Sequence, residues 1–513
     1  MSNLPEYLRL QPMSFVSSAK VPQSRVRQIN RHAVSKDGAY VLYWMTSFRR
    51  TRFNYALQRA VEWANELGVP LVVFEALRCN YRWASDRFHQ FILESMLDTA
   101  SSIIGSNATY SCYVEPSGQH GAGLLEKLAK QACVVVSDDF PCFFLPALYR
   151  SVSNKLSCAM ELVDSNGVFP IRSTERIFTV AHSFRRHLQK ELVKELPVFP
   201  VEEPLELLLA PGEELSRTLV RTLEAALRQH GATHGEKAIS YLKRSQGLDF
   251  PIDRTVRKTE VRGGEVAASE SFQRFLQLGL NRYDQDRNHP DRKGASKLSS
   301  YLHFGNLSAH EMLLAIAKRE DWNRSKMAVP NGKGAGFWGM SHNAEAFIDQ
   351  LIVWRELGFN MAALHRSYDR YESLPDWALE TLELHADDPR PYVYTFEVFE
   401  QAKTHDPIWN AAQRELVQEG GIHNYLRMLW GKKILHWSRT PQEALRTIVE
   451  LNNKYALDGR DPKSYSGIFW ILGRYDRAWG PERSIFGKVR YMTSESTVRK
   501  IEMKEYLKRF GSF

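Results

Sequence analysis

The stretch Ile422-His423-Asn424-Tyr425-Leu426-Arg427-Met428-Leu429-Trp430-Gly431-Lys432-Lys433-Ile434-Leu435-His436-Trp437 decides how the chain is read. It has no proline and a single glycine, Gly431, and its apolar residues recur at helical spacing, which predicts one buried amphipathic helix. At about 100° and 1.5 Å per residue, Trp430 and Trp437 fall on one face roughly 10 Å apart, a distance over which an electron can hop. Arg427 shares that side of the helix and needs an anion if it is buried. Asp458 or Asp461, in the acid-rich run Leu457-Asp458-Gly459-Arg460-Asp461-Pro462, can supply it. A tryptophan on a helix face is more often core filler than a redox group, so spacing alone leaves the plainer reading standing.

Outward from this helix, 513 residues predict two domains rather than one. The net charge of +9 is compatible with a polyanionic partner. The five cysteines, Cys79, Cys112, Cys133, Cys142 and Cys158, are odd in number and form no C-x-x-C pair. That argues against zinc or structural disulfides and for a reducing compartment. No uncharged run of about 18 apolar residues occurs, so the expectation is a soluble, cytoplasmic monomer with no metal and no membrane contact.

Along the chain, residues 1–38 are polar and basic and are taken as an arm. Tyr40–Trp44, Val69–Phe74, Tyr110–Val114 and Cys133–Asp138 read as buried strands, alternating with helices over 54–67, 88–104 and 123–131. Strand and helix in alternation predict a doubly wound parallel sheet over 39–190. No G-x-G-x-x-G or P-loop follows any strand, which excludes a conventional dinucleotide fingerprint. Pro197, Pro200, Pro204 and Pro211 mark an interdomain linker over 191–235, and residues 236–513 read as all-helical. Within that half, Gly294-Ala295-Ser296-Lys297-Leu298-Ser299 enters a helix near Ser296, where free N–H groups suit a diphosphate or simply an N-cap.

The wording of four segments carries a resemblance: His405-Asp406-Pro407-Ile408-Trp409, Tyr425 to Trp437, Leu451 to Pro462, and Ile485-Phe486-Gly487-Lys488-Val489-Arg490-Tyr491. Together they closely resemble successive motifs of the class II cyclobutane pyrimidine dimer photolyases, within the photolyase–cryptochrome superfamily. The resemblance implies an α/β domain followed by an all-helical FAD-binding domain, and light-driven repair of dimers in UV-damaged DNA by a carbon–carbon lyase. It implies that Tyr283, Ser296, Lys297, Leu298, Ser299, Arg427, Asn452, Asp458 and Asp461 hold FAD. Trp430, Trp409 and Trp437 match its flavin-proximal, middle and solvent-side electron carriers. Gln350, Trp354, Met428, Asn452 and Trp470 match the lesion and flavin surroundings, and Trp354, Trp470, Lys463 and Arg477 the DNA contacts.

Four single positions depart from that pattern: Gln350 and His436 stand where relatives carry Glu, Lys297 where many carry Arg, and Lys463 where they often have Asn. Trp44 to Arg50 and Asn54 resemble the place of a light-harvesting chromophore, a deazaflavin or methenyltetrahydrofolate, but Ser47-Phe48 replaces the usual polar-acidic pair. Two other activities of the same fold stay open, (6-4) photoproduct repair and a cryptochrome-like light sensor. The first asks for paired active-site histidines, of which His365 alone is in view.

Overall fold

In the computed structural model, which describes residues 15–118 and 120–511, the N-terminal half is built on a seven-stranded sheet. The strands are β1 (Val26–Gln28), β2 (Tyr40–Met45), β3 (Leu71–Leu77), β4 (Ala108–Val114), β5 (Ala132–Asp138), β6 (Ala159–Val163) and β7 (Thr233–His234). Their order is β1-β6-β5-β2-β3-β4-β7. The five inner strands run parallel, and the two edges, β1 and β7, are antiparallel. Every residue of β2 is buried because both faces are covered: Val41, Tyr43 and Met45 enter one core, Tyr40, Leu42 and Trp44 the other. The doubly wound parallel sheet expected from strand–helix alternation is the observed architecture.

Two boundaries differ from the sequence reading. The 1–38 arm yields edge strand β1, paired with β6, while residues 1–14 lie outside the described residues. The 191–235 segment is no free linker. Its helix Glu213–Leu227 sets Leu219, Leu223 and Leu227 into the second core, and β7 then closes the edge of β4. An uncovered parallel edge exposes a row of unpaired backbone groups, which explains why the chain returns to cover it before leaving. The following helix, Lys237–Ser245, also belongs to this layer, since the Tyr241 hydroxyl accepts from Val114 N at 3.0 Å. The helical half therefore starts beyond Ser245, and no strand element follows β7 among the described residues.

The loop after β2 sits at the switch point of the sheet, where such folds bind ligands. Here it is filled from within. Asp138, at the end of β5, accepts from Thr46 N at 2.8 Å, Ser47 N at 2.6 Å and Phe48 N at 3.0 Å. Asn54 caps the Tyr55–Leu67 helix through Ala56 N and Leu57 N and binds the Phe48 and Arg50 carbonyls. Arg50, 2% exposed, reaches across to the Gly305 carbonyl at 2.9 Å. A Cβ on Gly305, whose φ is +77°, would stand 2.0 Å from the Ser47 carbonyl oxygen. The Trp44–Asn54 segment, which resembles the place of an antenna, is thus packed at a seam between the two halves.

Candidate active site

The helix Asn424–Trp437 runs through the core of the C-terminal half. It is buried on nearly all sides from Leu429 on, lysines included, so it is a central helix and not the amphipathic one predicted. Beside it lies Pro407–Glu419, whose N-cap Asp406 accepts from Ile408 N and Trp409 N and so fixes the start of the turn carrying Trp409. The Trp409 indole donates to the Trp430 carbonyl at 2.9 Å, and the Trp430 indole to Gln413 Oε1 at 2.9 Å. Trp409 and Trp430 are near-parallel with centroids 6.4 Å apart, and Trp409 meets Trp437 at 6.1 Å and 69°.

The three indoles therefore form one line in contact. Trp437, expected at the solvent end, is 1% exposed. Tyr394 meets it edge-on at 5.7 Å, His405 lies 5.0 Å away, and Lys433 Nζ stands 5.2 Å over its ring.

At the N-terminal end of the central helix a charge cluster gathers. Arg427 Nη2 lies 3.3 Å from Asp458 Oδ1, each side chain about four-fifths buried. Burial would raise the Asp458 carboxyl, but the Arg427 guanidinium, a hydrogen bond from Ser299 and nearby Lys463 together hold it below the usual carboxylate range. The Lys463 amine is lowered by burial, with Asp458 acting to raise it and Arg427 to lower it, and the residue is partly exposed. Asp461 caps the Pro462–Ile471 helix through Lys463 N and lies 3.3 Å from His303 Nδ1. Asn452, 2% exposed, donates to Ser464 Oγ at 2.9 Å.

The phosphate-loop expectation shifts by three residues. Lys297 takes φ +57°, outside helix, and the five-residue helix begins at Ser299 with the buried Leu298 at its N-cap position. Ser296 stays in the loop, and Lys297 is exposed and paired with Glu419 at 3.6 Å. Tyr283 is buried against Phe275 and Phe347 with Arg287 over its ring.

Gln350 and Trp354 sit on a widened, π-helical stretch, Asp349–Trp354. Such turns recur at functional sites because they re-aim side chains without ending the helix. Trp354 stacks on Trp470 with centroids 4.7 Å apart and planes 14° from parallel, both indoles partly exposed. Met428, one turn along the central helix from Asn424, is also partly exposed.

Several basic residues of the C-terminal half are unavailable to a DNA backbone, since Lys432 and Arg474 are 1% exposed and Lys433 is 7%. The exposed basic surface lies elsewhere. Arg477 and Arg490 both stack on Trp479, and Arg483 and Lys500 line the same open cleft with Tyr425 and Tyr491. Of these, Arg477 alone is among the DNA contacts expected from the sequence. Basic residues interleaved with aromatics between Arg477 and Tyr491 were the available signal.

Curated relatives span nearly the whole chain. A deoxyribodipyrimidine photo-lyase of Methanothermobacter thermautotrophicus is 32% identical over 490 residues, covering 94% of this chain and 97% of that protein. One from Oryza sativa is 31% identical over 94% of this chain and 90% of its own length, and one from Potorous tridactylus 29% identical over 98% and 87%. The chain belongs to the deoxyribodipyrimidine photo-lyase family. Among solved structures, a bacterial class III photolyase from Agrobacterium tumefaciens superposes with a TM-score of 0.65 at 17% identity, covering 92% of this chain and 86% of that one. A Synechocystis cryptochrome gives 0.62 at 15%, covering 92% and 88%, and both show the shared fold. No family model matches the chain.

Within the photo-lyase family frame, three of the departures have distinct settings. Gln350 is partly exposed, four residues before Trp354 on the π-helical stretch. His436 stacks beside Trp437 at 6.4 Å, and burial pushes its imidazole down to about 4, so it is neutral at pH 7. Lys297 faces solvent.

Proposed function

We propose that this protein splits cyclobutane pyrimidine dimers in UV-damaged DNA by light-driven electron transfer, acting as a monomer with FAD as its resident cofactor, on a branch close to class II. The observation that carries the reading is one contact geometry. A line of three buried indoles ends beside the Arg427–Asp458 cluster, on a helix whose neighbour presents the Trp354–Trp470 pair.

The residues fit a flavin. Arg427 Nε is buried without a hydrogen-bond partner, an arrangement that is costly unless a ligand supplies an acceptor. When bound and reduced, FAD supplies the electron that blue or near-UV excitation releases. The chain supplies position, dryness and charge. Arg427 and Asp458 fix a charge beside the ring. Asn452, its amide nitrogen tied to Ser464, offers a carbonyl oxygen to a ring N–H. Ser299 is linked through Asp458 to that same cluster.

The Trp354–Trp470 pair gives a flat apolar surface to a base pair drawn from the stack, where stacking offsets extrusion by about 1–3 kcal/mol per base. Gln350 can hydrogen-bond the lesion but has no titratable proton to give. Arg477, Arg490, Arg483 and Lys500 neutralise backbone phosphates along the cleft. The test is irradiation of the reduced, FAD-loaded protein with a thymine-dimer oligonucleotide, following dimer loss by chromatography. Intact dimer after illumination overturns the reading. Loss of a (6-4) photoproduct in its place transfers it to the rival activity.

A further inference from the structure

Lys432 sits in the middle of the central helix, 1% exposed, and among the described residues no carboxylate lies within ion-pair distance of it. Its ammonium donates to the carbonyl of Ile471. Ile471 is the last residue of the helix Pro462–Ile471 and follows Trp470 directly. The adjacent residue of the central helix grips the same place, since a Cβ on Gly431 would come 2.0 Å from Ile471 Cδ1. On the far side Arg474 holds the turn after the helix, with its guanidinium 3.8 Å over the Phe469 ring and Nη2 on the Tyr368 carbonyl at 2.9 Å.

A buried lysine without a counter-ion is expensive, and an apolar side chain of similar volume would fill the space more cheaply. What it adds is a charge-assisted hydrogen bond to one of the orphan carbonyls at a helix C-terminus, where the helix dipole also favours a cation. That carbonyl is one residue from an indole of the stacked pair.

Resting on the reading above, we propose that Lys432 is a positioning residue for that pair: through the Ile471 carbonyl its ammonium sets where Trp470 lies against Trp354, and so how tightly a flipped dimer is gripped. The charged groups that act on Lys432 are Asp476, which favours the ammonium, and Arg490, which opposes it, both on the segment after the helix. Burial dominates and pushes the amine down to about 7, so the bond loses its charge as pH rises through neutrality.

The experiment measures, in the dark, the affinity of the FAD-loaded protein for a thymine-dimer oligonucleotide and for its undamaged twin, between pH 6 and pH 9. Lys432→Met weakens dimer binding about tenfold, the scale of one lost charge-assisted hydrogen bond, with undamaged binding unchanged and thermal stability equal or higher. The wild type loses the same preference as pH rises, whereas Lys432→Met is flat. Lys432→Gln, with a neutral donor, falls between. In a Trp470→Ala background Lys432→Met adds nothing further. Equal weakening toward both oligonucleotides, or a full additional effect in the Trp470→Ala background, overturns the proposal. A wild type that does not prefer the dimer at any pH overturns the functional reading itself, and that arm is read before any variant.

Discussion

Trp430 is the residue on which the electron path turns, because it is the only one of the three indoles within the first turns of the central helix, three residues from Arg427. Trp430→Phe keeps most of the buried ring but removes the donor to Gln413, leaving a buried acceptor unsatisfied at about 1–3 kcal/mol. The expected outcome is a lowered melting temperature, retained flavin, and photoreduction under an external reductant at least roughly tenfold slower by absorbance, if the missing link adds about 1.4 kcal/mol to the barrier. Gln350→Glu restores a titratable proton next to the indole pair. Dimer splitting per absorbed photon is expected to stay level or rise, and a severe loss would show a recess built around the amide. At this scale residue identity was more legible than environment. Seven-residue spacing put Trp430 and Trp437 on one face, but whether that face meets solvent depends on Tyr394 and His405, which come from elsewhere in the chain. The burial of Lys432 and Lys433 is hidden for the same reason: it is imposed by neighbouring helices.

Among elements, the crossing of Asn424–Trp437 with Pro462–Ile471 is the joint that brings the electron line and the indole pair together. Gly431 permits it, since any larger residue drives its Cβ into the Ile471 side chain. Gly431→Ala is therefore expected to destabilise by about 1–3 kcal/mol through overpacking, although alanine is the better helix former by about 1 kcal/mol. Ile471→Val, which removes the clashing Cδ1, should recover part of the loss when the two are combined. Thermal melts of both singles and the double variant form the cycle that shows it. Long elements were legible, the four predicted strands as largely apolar runs and the Tyr55–Leu67 helix by its sustained period. Strands β1 and β7 have three and two residues and no period to detect. Strand β6, Ala159–Val163, has burial on every residue but lies among loop residues that mask its limits. The Glu213–Leu227 helix fell within the segment assigned to a linker, because prolines upstream suggested an exit where the chain in fact returns to cover a sheet edge.

Across the whole molecule, the two halves are tied by polar groups buried at their seam. Glu265 accepts from Thr51 N at 3.0 Å and Arg52 N at 3.2 Å, and Glu356 from Val168 N at 2.7 Å and Phe169 N at 3.1 Å. Arg355 Nη1 donates to the Asn166 carbonyl at 2.6 Å. None of this was readable beforehand, since a Glu on a helix gives no sign of a loop nearly two hundred positions earlier. Burial pushes both carboxyls up to about 7, outweighing Arg355 and the backbone N–H groups at Glu356. From an ordinary value of 4.5, the folded protein then holds more protons than the unfolded chain between pH 4.5 and pH 7. Their contribution to stability is present below that window and lost as pH rises through it. His89, His423 and His436, each pushed down to about 4, act in the opposite sense over much of the same range, so the wild-type profile alone does not isolate the seam. Lys432 acts above pH 7 and leaves the window untouched. The difference between variant and wild type does isolate it. Glu356→Gln loses an acceptor and melts lower at pH 5. Because it has no proton to shed, its deficit should shrink steadily toward pH 8, and a deficit constant across that range would mean that Glu356 is already ionised at pH 5.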